Sequence, residues 1–217
     1  MALRMIIFDF DGTIADTMER GRIILNQLAE EYKFQPLARE DVERAKGMTL
    51  SEFIRFLKVP KRKVPVLLAK GKRMLRENME EIQVHKGMDQ TLYRLQDEGW
   101  KLGILTSNST ENVQIFLDKH ALNMFEFVSS VRKLTGKHKH LKAILRTFSM
   151  KPEEVLYIGD ETRDVRSSLK AGVPVAACTW GFNDEASLLK QRPTFLIHEP
   201  HEIMDLVYNE DELDPVV

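Results

Sequence analysis

Cysteine is nearly absent from this chain: Cys178 is the only one in 217 residues. No disulfide can form within the molecule, so the fold must rest on a packed core, and a reducing compartment suits it. Cys178 falls in an apolar run expected to be a buried strand, which argues against a catalytic thiol. Long apolar runs are missing as well. No stretch approaches the roughly 20 residues that cross a bilayer. The run that opens at Met5 meets Asp9 at once, too soon for a secretion signal. A cytoplasmic protein without membrane association is the expectation. Charge of one sign is also lacking. Lys and Arg number 32 against 33 Asp and Glu, a net charge of −1, so the whole-molecule field favours no particular partner, nucleic acid included. Internal repeats and low-complexity tracts are absent, and no feature sets an oligomeric state.

What remains is an apolar content of 43% with 30% charged residues, the balance of a folded domain. The length allows one large domain, or a core with an insert. Apolar, β-rich runs occur at 5–10, 102–106, 155–158 and 173–178, with a weaker one at 125–131 and a candidate edge strand at 194–197. Their continuity, without polar alternation, suits parallel strands covered on both faces. Helical patterns at 88–98, 110–120, 141–148 and 162–171 lie between them, and Gly99 and Gly172 are good helix stops. Strand and helix thus alternate, which predicts βαβ units and a doubly wound parallel α/β sheet. The stretch 16–84 breaks that alternation and shows helix signals only: a stripe of Ile24, Leu25, Leu28 and Tyr32, further patterns at 49–57 and 66–79, and Pro36, Pro60 and Pro65 as punctuation. A helical cap over 16–85 is expected, inserted after the first strand of a core formed by 1–15 and 86–217. The acidic tail 209–217 is expected to fray.

The most informative segment is Ile6-Ile7-Phe8-Asp9-Phe10-Asp11-Gly12-Thr13. In a strand, residues two apart share a face. Asp9 and Asp11 can then project together from the end of a buried strand. Paired carboxylates suit a divalent cation with hard oxygen ligands. They also suit nucleophilic attack by one carboxylate while the other shuttles protons. A plain surface turn is the alternative, because Asp-Gly is a common turn dipeptide.

Three further features end predicted strands, the edge at which open parallel sheets bind ligands. Leu105-Thr106-Ser107-Asn108 places hydroxyls and amides where they can hold an anion, or merely cap a helix. Lys137, after Gly136, can neutralise a phosphoryl oxygen and the nearby carboxylates, or simply be solvated. In Lys137-His138-Lys139-His140, two His at i and i+2 on a helix do not share a face, so a polar helix start is preferred to a metal site. In Gly159-Asp160-Glu161-Thr162-Arg163-Asp164, Asp160 is placed to join Asp9 around a cation, with Asp164 one turn later; a capped helix start is the alternative.

Taken in this order, these residues resemble the haloacid dehalogenase superfamily of phosphohydrolases over nearly the full chain. Asp9-Phe10-Asp11-Gly12-Thr13 matches its first motif, Thr106 the second, Lys137 the third, and Gly159-Asp160 with Asp164 the fourth. The arrangement looks most like the phosphoglycolate and sugar-phosphate phosphatases. The resemblance implies Asp9 as nucleophile and Asp11 as general acid and base. It implies Mg²⁺ held by Asp9, the Asp11 carbonyl and Asp160, with Asp164 in support. Thr106, the amide of Ser107 and Lys137 would neutralise the transferring group, with Gly12, Thr13 and Asn108 also at the phosphate. The second carboxylate, Asp11, separates the phosphatases from the dehalogenases, whose halide leaving group needs no proton. A phosphomutase, or a non-catalytic binding protein on the same fold, remains as the alternative.

Between Arg55 and Arg76 stand nine basic residues and no acidic one. They either steer a small anionic substrate or form a solvated face. The loop Lys46-Gly47-Met48-Thr49 is the better candidate to reach the site, with Lys46 as a substrate contact and Thr49 capping the next helix.

Overall fold

The computed structural model describes residues 3–131 and 136–208; the expected fraying of 209–217 lies outside them. Six parallel strands form one sheet in the order β3-β2-β1-β4-β5-β6. They are β1 (Met5–Phe8), β2 (Lys101–Thr106), β3 (Phe125–Ser130), β4 (Val155–Gly159), β5 (Val175–Cys178) and β6 (Phe195–Ile197). Period-two alternation divides each central strand between two cores. From β1, Ile6 and Phe8 join Leu92, Leu95, Val113 and Phe116 on one face. Met5 and Ile7 join Leu141, Leu145 and Val165 on the other. Helices α5 (Met88–Asp97), α6 (Thr110–Lys119) and α10 (Glu202–Tyr208) therefore cover one face, and α7 (Lys137–Thr147), α8 (Thr162–Ala171) and α9 (Glu185–Leu189) the other. All four residues of β1 are fully buried, each contributing on the order of 1.5–3 kcal/mol of transfer free energy.

Strand β1 is central, bonded to β2 on one side and β4 on the other. The strand order reverses between β1 and β4, the place where an open α/β sheet leaves a crevice at its carboxyl edge. The expected strand 5–10 is shorter than predicted. Ladder pairing stops at Phe8, and the Phe10 carbonyl instead accepts from the amides of Ile14 and Ala15, both at 3.0 Å. Gly12 makes this turn possible with φ +79°, a region that a side chain would strain. Asp9 and Asp11 thus reach the site through a turn rather than from one strand face.

Between β1 and α5 lie α1 (Met18–Tyr32), α2 (Val42–Lys46), α3 (Leu50–Phe56) and α4 (Val64–Glu77). Thr49 caps α3 in a reciprocal box with Glu52. Helix α4 starts two residues earlier than expected because Pro65 sits in its first turn, where a missing N–H costs nothing, rather than acting as a break. These helices have their own small core of Ile24, Leu28, Phe34, Leu37 and Leu57. The chain enters and leaves them side by side: Asp16 N donates to Gln83 O at 3.0 Å and His85 N to Ile14 O at 2.8 Å. Of the nine basic residues at 55–76, Arg55, Lys58, Lys61, Arg62, Arg73 and Arg76 are exposed, as a solvated face requires.

Candidate active site

Four loops meet at the crevice. The Asp9 amide donates to Ile158 O at 2.8 Å, extending the β1–β4 register by one residue, and the residue is 2% exposed. Helix α7 begins at Lys137 itself, a turn earlier than the apolar pattern indicates. That start aims a buried ammonium at two carboxylates: Asp9 Oδ2 at 2.7 Å and Asp164 Oδ1 at 2.6 Å. It also donates to the Tyr157 hydroxyl at 3.0 Å. His138 and His140 follow on the helix, and His140 Nδ1 faces Ser129 Oγ at 3.3 Å, the polar helix start that the sequence favours.

Asp160 directly follows β4 with no exposure. Its Oδ1 accepts from the Thr13 hydroxyl at 2.7 Å and its Oδ2 from the Phe182 amide at 2.7 Å. Thr13, expected at a phosphate, therefore commits its hydroxyl to Asp160. Gly12 and Gly181 permit this approach, since a Cβ on either would lie 2.3 Å or less from Asp160. Asp164 caps α8, accepting from the Glu161 amide at 3.1 Å. Carboxylate oxygens of Asp9, Asp160 and Asp164 all lie within 4.8 Å of one another.

The electrostatics follow from burial. Burial raises the Asp9 carboxyl to about 7, Lys137 pulling it down and Asp164 pushing it up. Asp160 is raised well above the usual carboxylate range by burial and by Glu161 and Asp9. For Asp164, burial also acts upward, but Lys137 and Arg163 outweigh it and hold the group low. Lys137 is the mirror case: burial lowers it, Asp164 and Asp9 more than restore it. Hard oxygen donors packed this closely, two of them reluctant to ionise, are the donor set that a small divalent cation satisfies. The pH dependence has a definite sign. Without metal, folded Asp9 holds a proton that the unfolded chain releases near 4, so this group costs stability as pH rises to about 7 and nothing further above. A cation must displace that proton. We therefore expect the rise in Tm with Mg²⁺ to grow with pH: little at pH 5.5, and roughly 5–10 °C at pH 8 with the ion at a hundred times its Kd. Scanning calorimetry at the two pH values checks it; a larger rise at pH 5.5 would sink the carboxylate site.

Asp11, partly buried in the turn, has its Oδ1 held by Asn108 Nδ2 at 3.1 Å. Burial raises its pKa against the pull of that bond, which suits a group that must arrive protonated. Asn108 is fixed in turn, its Oδ1 accepting from Ser109 N at 2.8 Å and Asn112 Nδ2 at 2.9 Å. Thr106 ends β2 fully buried, its Oγ1 accepting from Asn108 N at 2.9 Å. Ser107 Oγ accepts from Arg163 at 3.3 Å, and its carbonyl accepts from Lys72 of α4. The Lys46 ammonium pairs with Glu43 at 3.1 Å, and the Lys46 carbonyl accepts from Asn183 Nδ2 at 2.8 Å.

Tyr157, Arg163 and Lys72 carry no individual signal in the sequence. Tyr157 reads as one more apolar strand residue, yet its hydroxyl bridges Lys137 and the Leu105 carbonyl. Arg163 reads as a helix-start charge, yet it pairs with Glu161 and reaches Ser107. Lys72 is one of nine basic residues, separated from the others only by the three-dimensional arrangement. Cys178 is buried beside Thr13, at 3.8 Å from its Oγ1, and burial holds its thiol well above the usual range; it is not a nucleophile.

Comparison with known proteins agrees with this geometry. A family model described as haloacid dehalogenase-like hydrolase matches residues 6–178. A phosphoglycolate phosphatase from Synechococcus elongatus is 30% identical over 94% of this chain and 97% of its own length. The pyrophosphatase PpaX of Bacillus cereus is 25% identical over 96% and 98%. Among solved structures, a haloacid dehalogenase-like hydrolase from Streptococcus pneumoniae superposes with TM-score 0.78 at 22% identity, covering 94% of this chain and 97% of that one. A predicted phosphatase from Clostridium acetobutylicum gives 0.79 at 22% identity, covering 98% and 100%. With a parallel sheet of this order, an Asp-x-Asp turn at its centre and a family match over most of its length, the chain belongs to the haloacid dehalogenase-like hydrolases and is an enzyme of their phosphatase kind.

Proposed function

We propose that this chain is a Mg²⁺-dependent phosphatase of the cytoplasm that hydrolyses a small phosphorylated metabolite through an aspartyl-phosphate. The observation that carries the reading is the ion pair of Asp9 with Lys137, set among carboxylates that can hold a cation and beside an Asp11 positioned by Asn108. A carboxylate oxygen of Asp9 attacks phosphorus as the ester bond breaks, and Asp11 gives its proton to the leaving oxygen. Asp11, now a base, takes a proton from water, which attacks the same phosphorus, frees phosphate and restores Asp9. Thr106, the Ser107 amide and Lys137 offset charge on the transferring group, the main task in phosphoryl transfer. Asp9, the Asp11 carbonyl and Asp160 would hold the metal, with Asp164 holding Lys137 and the α8 start behind them. Bound Mg²⁺ would supply charge neutralisation for the transferring group. Residues 16–85 act as the cap over this site. The helices there meet the core through Lys72 on Ser107, the Lys46 and Gly47 carbonyls on Asn183 and Ser187, and the Glu80 and Ile82 carbonyls on Lys119 and His120.

The relatives named for phosphoglycolate and pyrophosphate support a small phosphate substrate and set the head of a test panel. We expect phosphate release that requires Mg²⁺ and stops with EDTA, across phosphoglycolate, sugar phosphates, nucleoside monophosphates and pyrophosphate. Stoichiometric free phosphate distinguishes hydrolysis from a mutase. Metal-independent release, or a phosphoryl group returned to sugar, would overturn the reading.

A further inference from the structure

A cavity of about 290 Å³ runs from the catalytic turn into the helices of 16–85. One end is polar and formed by Asp11, Ser107, Asn108 and Lys72; the remainder is apolar, with Leu28, Phe53, Leu57 and Leu67 among its walls. Elsewhere a domain closes such a space by packing, yet here α3 and α4 contribute no fully buried residue. Leu50 and Leu68, both on the cavity wall, remain 49% and 39% exposed. Single exposed leucines are ordinary, but here they continue a contiguous apolar wall that opens to solvent, the mark of a binding groove. The polar end identifies the occupant, because it contains Asp11, the group that faces a leaving oxygen. Of the nine basic residues at 55–76, only Lys72 lines the cavity, and its ammonium is bonded to the Ser107 carbonyl. A glycolate carboxylate, a sugar's hydroxyls or a second phosphate would therefore find few partners beyond the polar end, and each unpaired group buried there would weaken binding.

We infer that the cap cavity is the leaving-group site for phosphate monoesters of apolar alcohols, alkyl or aryl in character. This rests on the phosphatase reading above and narrows its substrate class. The size agrees: an engineered apolar cavity of about 150 Å³ takes up benzene, so about twice that volume holds an aryl group or an alkyl chain of roughly six carbons.

The test is a homologous series of methyl, butyl and hexyl phosphate beside phenyl phosphate, phosphoglycolate and pyrophosphate. Calorimetric binding of methyl- and hexylphosphonate, which cannot turn over, runs in parallel. The expected result is a rise in kcat/KM of about threefold to fourfold per methylene, more than a hundredfold from methyl to hexyl phosphate. Gly71 lines the cavity within α4, and a Cβ there would meet only Leu28 Cδ1, at 3.7 Å. Gly71→Leu fills the space without crowding the backbone and should improve helix propensity. It is expected to cut the hexyl-to-methyl ratio at least tenfold while the protein melts no lower. A flat series led by phosphoglycolate or pyrophosphate overturns the inference and leaves the phosphatase reading intact. No release from any ester, with hexylphosphonate still bound tenfold or more tightly than methylphosphonate, overturns the phosphatase reading and supports the apolar site. A dimer that covers Leu50 and Leu68 and abolishes hexylphosphonate binding assigns the face to a second copy and overturns the inference.

Discussion

Asp9→Asn is expected to abolish phosphate release, by a factor on the order of 10⁴–10⁶ if nucleophile removal here costs what it does in other covalent enzymes. The same substitution should leave the metal-free fold as stable as before. Asp9 accepts the Phe10 amide through Oδ1 at 2.8 Å, and an asparagine oxygen can keep that bond. The charge it removes is one that burial already opposes, since the Asp9 carboxyl sits at about 7. Lys137 keeps Asp164 at 2.6 Å, so no buried cation is orphaned. Phosphate release and a thermal melt, with and without Mg²⁺, measure both halves. Full activity in the variant would falsify the aspartyl-phosphate mechanism. A large fall in metal-free Tm would show Asp9 to be a structural member of the ion-pair cluster instead.

Lys137→Met has the opposite profile: activity and stability both fall. Lys137 is the cation that Asp9 and Asp164 share at 2.7 and 2.6 Å, all three side chains buried. Removing one partner of such a pair strands the others, at a cost of about 3–5 kcal/mol. Loss of a cation that offsets phosphoryl charge costs roughly 10³–10⁵ in turnover. The stability loss must depend on pH. In the native protein Asp164 is held low by Lys137 and Arg163 despite its burial, so its contribution is present above the unfolded pKa and is lost as pH falls through the folded one. Without Lys137, burial dominates and the folded carboxyls bind protons more tightly than the unfolded chain. The variant's deficit is then largest above pH 7 and shrinks toward pH 5. Urea denaturation at both pH values reads it, and a deficit that is equal or larger at pH 5 would contradict the assignment.

The sheet was legible because its strands are covered on both faces. Runs such as Met5-Ile6-Ile7-Phe8 carry no polar alternation, and all four residues are buried. The errors fall where chemistry overrides propensity. Phe10 continues the apolar run at Ile6, yet leaves the strand because the turn that presents Asp11 needs its carbonyl. Lys137 lies a turn before the apolar pattern of its helix; its spacing suggests a cation near carboxylates, but only the fold shows that Asp9 and Asp164 share it. Asp9, Asp11 and Asp160 stand out in the sequence because each comes just after an apolar run, and Asp164 because it lies one helical turn after Asp160. Tyr157 does not, because a phenol on a buried strand looks like core until its partners are seen. Lys72 shows the same limit within 55–76: a run of like charges does not tell which side chain meets the Ser107 carbonyl.

The position of β1 bears on how the protein is born. Met5 pairs with Lys101 and Val155, 96 and 150 residues further along the chain (101 − 5 and 155 − 5). At roughly 5–20 residues per second of synthesis, the second neighbour emerges about 8–30 s after the first strand. For that interval Met-Ile-Ile-Phe has an open edge on at least one side, and the Ile158 carbonyl that receives the Asp9 amide has yet to appear. The helices of 16–85 leave the ribosome in between and can form local structure first. The loop that carries Asp9 is thus translated well before the second strand that organises it, and its final geometry waits on β4.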